Sequence, residues 1–230
     1  MKLHSMLGLI VCVIAAIGIT KPTKGDIIYQ EDFEDGVADG LTTTGGSWSV
    51  CPPGLNGSNF GYHAESWESS FRIDGLPNDN FAMEADFQIA NAAVGDFDMW
   101  LNTSAAPLWS GSDSGYYVMV NPVGSDNPDA WISRRDDSGP GMGLASTPNT
   151  INAGETRHLR VERTVPEIRV YLDGDFILSA NDATYTTGSQ YMRLYGGGVI
   201  DNILVTVPAP EPATLALLAL GGLALIRRRR

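Results

Sequence analysis

Alternation of apolar and polar positions dominates the chain between residues 26 and 207. The clearest case is Phe81-Ala82-Met83-Glu84-Ala85-Asp86-Phe87-Gln88-Ile89. Successive side chains of a strand point to opposite faces, so Phe81, Met83, Ala85, Phe87 and Ile89 share a core face. Ala82, Glu84, Asp86 and Gln88 face the other way. The same period predicts strands over 27–33, 47–50, 70–73, 97–101, 116–120, 130–133, 158–163, 168–172, 175–178, 191–195 and 199–207. Asp173-Gly174 tolerates positive φ at both positions and reads as a hairpin turn. The Gly/Thr/Ser-rich stretch 34–60 reads mostly as loop, and 138–154 as a Gly/Pro/Asn-rich crossover. Helical periodicity is almost absent. About a dozen short strands without helices predict an all-β fold, an antiparallel two-sheet sandwich that hides two half-apolar faces against each other.

The pattern changes at both ends. Lys2 precedes an apolar run over 6–19, followed by Thr20-Lys21-Pro22-Thr23-Lys24-Gly25. A basic start, a short apolar core and a polar exit describe a secretory signal helix over residues 1–25, with cleavage expected after Gly25 and cleavage after Gly18 as the alternative. At the other end Pro208, Pro210 and Pro212 hold a spacer extended. An apolar run from Ala213 to Ile226 follows, then Arg227, Arg228, Arg229 and Arg230. Four adjacent arginines resist crossing a membrane, which leaves the body on the far side. As a helix, the fourteen apolar residues reach only about 21 Å, short of a bilayer core of about 30 Å.

Pro210-Glu211-Pro212, the Leu/Ala-rich run with Gly221-Gly222, and the arginine cluster resemble the PEP-CTERM sorting signal of Gram-negative bacteria. That resemblance covers 208–230. It implies a membrane-embedded exosortase as partner and processing at the Pro-Glu-Pro region. Delivery to the cell surface or an exopolysaccharide matrix would follow, after transient inner-membrane anchoring with the body outside the cytoplasm.

Without its ends the chain is more acidic than its total shows. Residues 26–207 hold 26 Asp and Glu against eight Arg and no Lys, a formal −18, against −12 for the whole chain. Such a body repels nucleic acid and anionic lipid, which excludes them as partners. Two readings of the acidity stay open, solubility and calcium, whose preferred ligands are carboxylate oxygens. With Cys12 in the signal segment, Cys51 stands alone, so no internal disulfide forms in the exported body.

The strand order, an opening Glu31-Asp32-Phe33-Glu34-Asp35-Gly36, the 81–89 strand, the pair 157–163 and 167–175 with its Tyr-Leu-Asp-Gly corner, and the closing 197–203 resemble the concanavalin A-like, laminin-G-like jelly roll. Glucanases of that fold place acids two and four residues apart on one strand. Glu84-Ala85-Asp86-Phe87-Gln88 copies the spacing but has an amide where the proton donor belongs, and an amide cannot supply that proton. No Gly-x-Ser-x-Gly turn supports a serine hydrolase. His63-Ala64-Glu65 lacks the Pro-Cys-x-x-Cys partner of a zinc deaminase, and His158 reads as a surface residue. The resemblance further implies one structural calcium where the first and last strands meet, at Glu34 and Asp201 with help from Asp32; the alternative is plain strand-end polarity. Trp109, in a loop between Pro107 and Gly111, is the leading candidate for stacking on a sugar ring, followed by Trp100, Tyr116, Tyr117 and Trp131. The expectation is an exported, non-enzymatic domain that binds extracellular polysaccharide. Its alternatives are a purely structural surface protein or a glycan-active hydrolase of the same fold.

Overall fold

The structure is a computed structural model that describes residues 25–105, 113–124, 129–137, 139, 141–148 and 151–208. The expected signal helix, the expected C-terminal helix and Trp109 lie outside the described residues. Ile27–Val207 forms one compact unit. Its strands are β1 (Asp26–Glu31), β2 (Leu41–Gly45), β3 (Trp48–Cys51), β4 (Gly61–Ala64), β5 (Glu68–Ile73), β6 (Phe81–Ile89), β7 (Asp96–Thr103), β8 (Gly115–Val120), β9 (Asp129–Arg135), β10 (Met142–Pro148), β11 (Thr156–Thr164), β12 (Glu167–Leu172), β13 (Asp175–Asn181), β14 (Ser189–Tyr195) and β15 (Gly198–Val207).

Two antiparallel sheets result. Sheet A runs β13-β12-β11-β6-β15-β4-β3, with β1 paired to β15, and sheet B runs β10-β9-β8-β7-β14-β5-β2. The core lies between them. The five inward residues of β6 are at most 2% exposed, and they meet Phe97, Met99 and Leu101 of β7 across the sandwich. Phe87 and Phe97 stack with ring centroids 4.5 Å apart. The two-sheet architecture therefore agrees with the alternation in the sequence.

The sequence reading missed β2, β4 and β10. Leu41-Thr42-Thr43-Thr44-Gly45 is rich in β-branched residues but carries no apolar face, as suits a sheet edge. Strand β10 occupies the expected crossover and forms the opposite edge of sheet B, largely exposed, with a bulge between Gly143 and Ala145. Hydrophobic periodicity finds strands by their buried face, and edge strands of this kind offer little of one.

Candidate functional site

Register aligns the outer face of sheet B into rows. Trp131 on β9 pairs with Met119 on β8, which pairs with Asp98 on β7, then Arg193 on β14, then Ser70 on β5. The next row is Ser133, Tyr117, Trp100, Tyr191 and Arg72. Trp100, Tyr117, Met119 and Tyr191 are buried and form an aromatic cluster separate from the core, with the half-buried Trp131 packed on it. Trp100 stacks on Tyr117 at 4.8 Å. Beside this cluster an open groove of about 560 Å³ is lined by Tyr117, Trp131 and Ser133 and flanked by β10 and the glycine before it. Gly141 lets that segment approach Tyr117 closely. A Cβ there would lie 2.0 Å from the Tyr117 hydroxyl, so any larger residue would push the segment off the ring. Burial raises the Tyr117 pKa, against the opposing hydrogen bond with Ser133, so the phenol stays neutral and can both donate and accept. A partly exposed tryptophan beside hydroxyls and a phenol can stack on a sugar ring, and the polar groups can bond its hydroxyls.

Further along the same face, Arg193 is 1% exposed and gathers three carboxylates. Its Nε donates to Asp98 Oδ2 at 2.6 Å, Nη1 to Glu68 Oε1 at 3.1 Å and Nη2 to Asp96 Oδ1 at 3.3 Å. Burial pushes both Asp96 and Asp98 above the usual carboxylate range despite the guanidinium. A second cavity, of about 410 Å³, is lined by Glu68, Asp96, Arg193 and Tyr195.

The outer face of sheet A carries a closed polar network. His158, directly opposite Asp86 in the β11–β6 register, donates from Nδ1 to Asp86 Oδ1 at 2.8 Å and from Nε2 to Glu84 Oε2 at 3.2 Å. Bonds to Asp86 and Glu84 outweigh burial and push the imidazolium pKa up to about 9. Asn56 and Asn202 donate to Asp86 Oδ2 at 2.8 and 2.9 Å, and Arg160 donates to Glu84 at 3.0 Å. Burial raises both acids, but these donors win and hold each below its ordinary value. His158 thus lies on the outer face, as expected, and in addition bridges two strand-borne carboxylates. The cause is a register between strands some 70 residues apart, which local pattern does not encode. Gln88 donates to the Gly154 carbonyl at 2.8 Å.

The other expected residues divide sharply. Trp131 borders the first cavity. Trp100 shares its face but is 1% exposed. Tyr116 points the opposite way, into the core, donating to Asp182 Oδ1 at 2.7 Å with the Arg163 guanidinium 4.8 Å from its ring centre. Its ring is fully buried, so stacking on a sugar does not extend to Tyr116 in this arrangement. Glu34 accepts from Asn59 N and Nδ2, both at 2.6 Å, and from Phe60 N at 3.2 Å. Asp201 accepts from Leu55 N and Asn202 N, both at 2.7 Å, and from the Ser58 hydroxyl. Asp32 caps the Glu34 amide at 3.2 Å. All three act as anchors of backbone turns, Glu34 and Asp201 gripping the β3–β4 loop. The oxygens of Glu34 and Asp201 accept from N–H and O–H donors, and the three acids are not gathered into one ligand group. Among the described residues no group of three or more His, Cys, Asp or Glu is arranged to hold a metal. Pro210, Glu211, Pro212 and Arg227–Arg230 lie outside the described residues. Sequence reasoning missed Arg193 with its acids and the exposed Trp67. In Gly115–Val120 every position is buried, so alternation could not tell Tyr116 from Tyr117.

Residues 208–230 match the PEP-CTERM protein-sorting motif. The motif marks an exported chain, anchored in a membrane by its C terminus before processing. No curated protein sequence matches the chain. Among solved structures, the carbohydrate binding module CBM66 from Bacillus subtilis is 17% identical with a TM-score of 0.57, over 73% of this chain and 95% of that one. The Emp47p carbohydrate recognition domain is 16% identical with a TM-score of 0.61, over 83% of this chain and all of that one. The VIP36 exoplasmic/lumenal domain, solved in a Ca²⁺/Man3GlcNAc-bound form, is 11% identical with a TM-score of 0.56, over 74% and 86%. At these identities the likeness is one of fold, a lectin-like β-sandwich.

Proposed function

We propose that this is an exosortase-processed protein of the cell surface or extracellular matrix whose sandwich binds polysaccharide through the outer face of sheet B. The observation that carries this reading is the cavity between Trp131, Tyr117 and β10. It offers a partly exposed indole beside a neutral phenol and Ser133, on a β-sandwich of the kind found in carbohydrate-binding modules. Trp100, its cross-strand neighbour, stacks on Tyr117 and holds its ring. Trp109 remains a candidate for the same ligand on the strength of its sequence setting.

The protein is proposed as a binder rather than an enzyme. A glycosidase needs one carboxylic acid that donates a proton and a second carboxylate facing the bond. Glu84 and Asp86 are both held ionised, and both grip His158. Glu68, Asp96 and Asp98 all close on Arg193. In each group the oxygens converge on a cation, where a catalytic pair would leave room for substrate. Retention of the purified full chain on immobilised polysaccharides, including the exopolysaccharide of its own host, tests the reading; failure to bind any of them contradicts it.

A further inference from the structure

Register sets two rows across the groove between β9 and β10. Gly143 lies directly opposite Ser133, which pairs in turn with Tyr117, and Ser146 lies directly opposite Trp131. Directly paired residues of an antiparallel ladder share one face of the sheet, so positions 143 and 146 belong to the face of Trp131. Both are exposed, and both line the groove.

Gly143 has no internal reason to be glycine. A strand glycine answers to a positive φ or to a close neighbour, and otherwise it weakens the strand. Gly143 has neither: its φ is not positive, and a Cβ there would meet no atom within 4 Å. Gly141 is the contrast, since its missing side chain is what lets the backbone approach Tyr117. A side chain at position 143 would stand beside Ser133 and fill part of the groove. The space kept there serves nothing within the fold and suits an incoming chain.

The groove also lacks charge. Among the described residues, none that lines it is Asp, Glu, Lys, Arg or His. Its polar side chains are the hydroxyls of Ser133, Ser146 and Tyr117, which can each donate and accept. The two arginines that follow Ser133 are taken by carboxylates, Arg134 by Asp136 and Asp182 and Arg135 by Asp113. Residues 26–207 carry a formal −18. A uronate or a sulfate ester entering the groove would lose water with no lining cation to receive it, against the field of an acidic body. An ammonium would find no lining carboxylate to replace its own water. An uncharged sugar unit brings a ring face for the indole and hydroxyls that match the lining.

We infer that the groove between β9 and β10 is selective for uncharged polysaccharide, with Gly143 as the specificity-determining position that keeps it open to the chain. This rests on the polysaccharide-binding reading and narrows it to a substrate class.

Calorimetric titration of the purified full chain tests the inference. The ligands are the neutral and acidic pools of the host exopolysaccharide, parted by anion exchange, with neutral glucan, mannan and arabinan beside alginate and polygalacturonate. The tightest neutral ligand should bind at least about tenfold better than any acidic one. Its affinity should change less than about twofold between about 0.05 and 0.5 M salt, because no charge pair is screened. Gly143→Leu should weaken binding about tenfold or more without lowering the melting temperature, since a side chain there meets open space. Gly143→Gln is a second blocking variant should leucine disturb the edge strand. An acidic ligand bound as tightly as the best neutral one overturns the inference, as does unaltered affinity in both folded Gly143 variants. Acidic binding that disappears in Trp131→Ala would keep the polysaccharide reading and remove the selectivity. Binding to neither class would remove both.

Discussion

Arg193 and Asp98 meet on the outer face of sheet B with the Arg193 Nε 2.6 Å from Asp98 Oδ2 and both side chains at most 1% exposed. This is a buried ion pair on the face of a sandwich that sequence alternation marks as the polar side. Breaking such a pair by removing one partner leaves an uncompensated charge, at a cost of about 3–5 kcal/mol. Arg193→Met should therefore lower the stability seen in urea titration by that order. A change below about 1 kcal/mol would show that the cluster is not held as described.

His158 makes stability depend on pH. Its folded pKa of about 9 lies above the ordinary 6.5, so its contribution is whole below pH 6.5 and is lost as pH rises through about 9. Glu84, Asp86 and Arg160 are the charged groups that face it. Asp96 and Asp98 act in the same direction, because acids raised by burial favour the protonated fold and lose stability as pH climbs. The melting temperature of the wild type should fall between pH 6.5 and 9, and His158→Gln should flatten part of that fall. Parallel curves for the two proteins would refute the bridging role.

Much of the fold was legible because the buried face of β6 announces itself. Phe81, Met83, Ala85, Phe87 and Ile89 alternate without a break, and the structure buries every one. The sites were less legible, for two reasons. The candidate sites lie on outer faces, where residues are brought together by register between distant strands: His158 with Asp86, Arg193 with Asp98, Tyr195 with Glu68. Apolar residues also occupy both faces of β8, so Tyr116 and Tyr117 look equivalent in sequence although one is core and the other lines a cavity. Trp131 was recoverable because it precedes Ile132, whose inward position turns the indole outward.

Asp201 bears on metal dependence. Its oxygens hold the β3–β4 loop through Leu55 N and the Ser58 hydroxyl. A ligand that binds only the folded state raises the melting temperature by mass action. With these oxygens engaged by hydrogen-bond donors, neither a chelator nor millimolar calcium should move the melting temperature. Asp201→Ala should lower stability by about 1–3 kcal/mol through the unpaired donors it leaves. A clear upward shift with calcium, absent in Asp201→Ala, would establish a metal at this end of the sandwich.

The sorting motif gives a prediction in the native host. Replacing Pro210, Glu211 and Pro212 together with alanine should block processing, leaving a longer chain in the membrane fraction. Mass spectrometry and cell fractionation read both effects. An unchanged mass and location would contradict exosortase handling through this segment.

The central claim is that the exposed part of Trp131 stacks on polysaccharide beside Tyr117. Truncating an aromatic that anchors a binding site costs about 2 kcal/mol or more, close to thirtyfold in affinity. The most direct measurement is therefore the affinity of wild-type and Trp131→Ala full chains for the host exopolysaccharide, with matched melting temperatures as the control for folding. A loss of about thirtyfold with the fold intact is the expected result. Equal affinity for the two proteins would contradict the claim and move the ligand, if there is one, off this face of the sandwich.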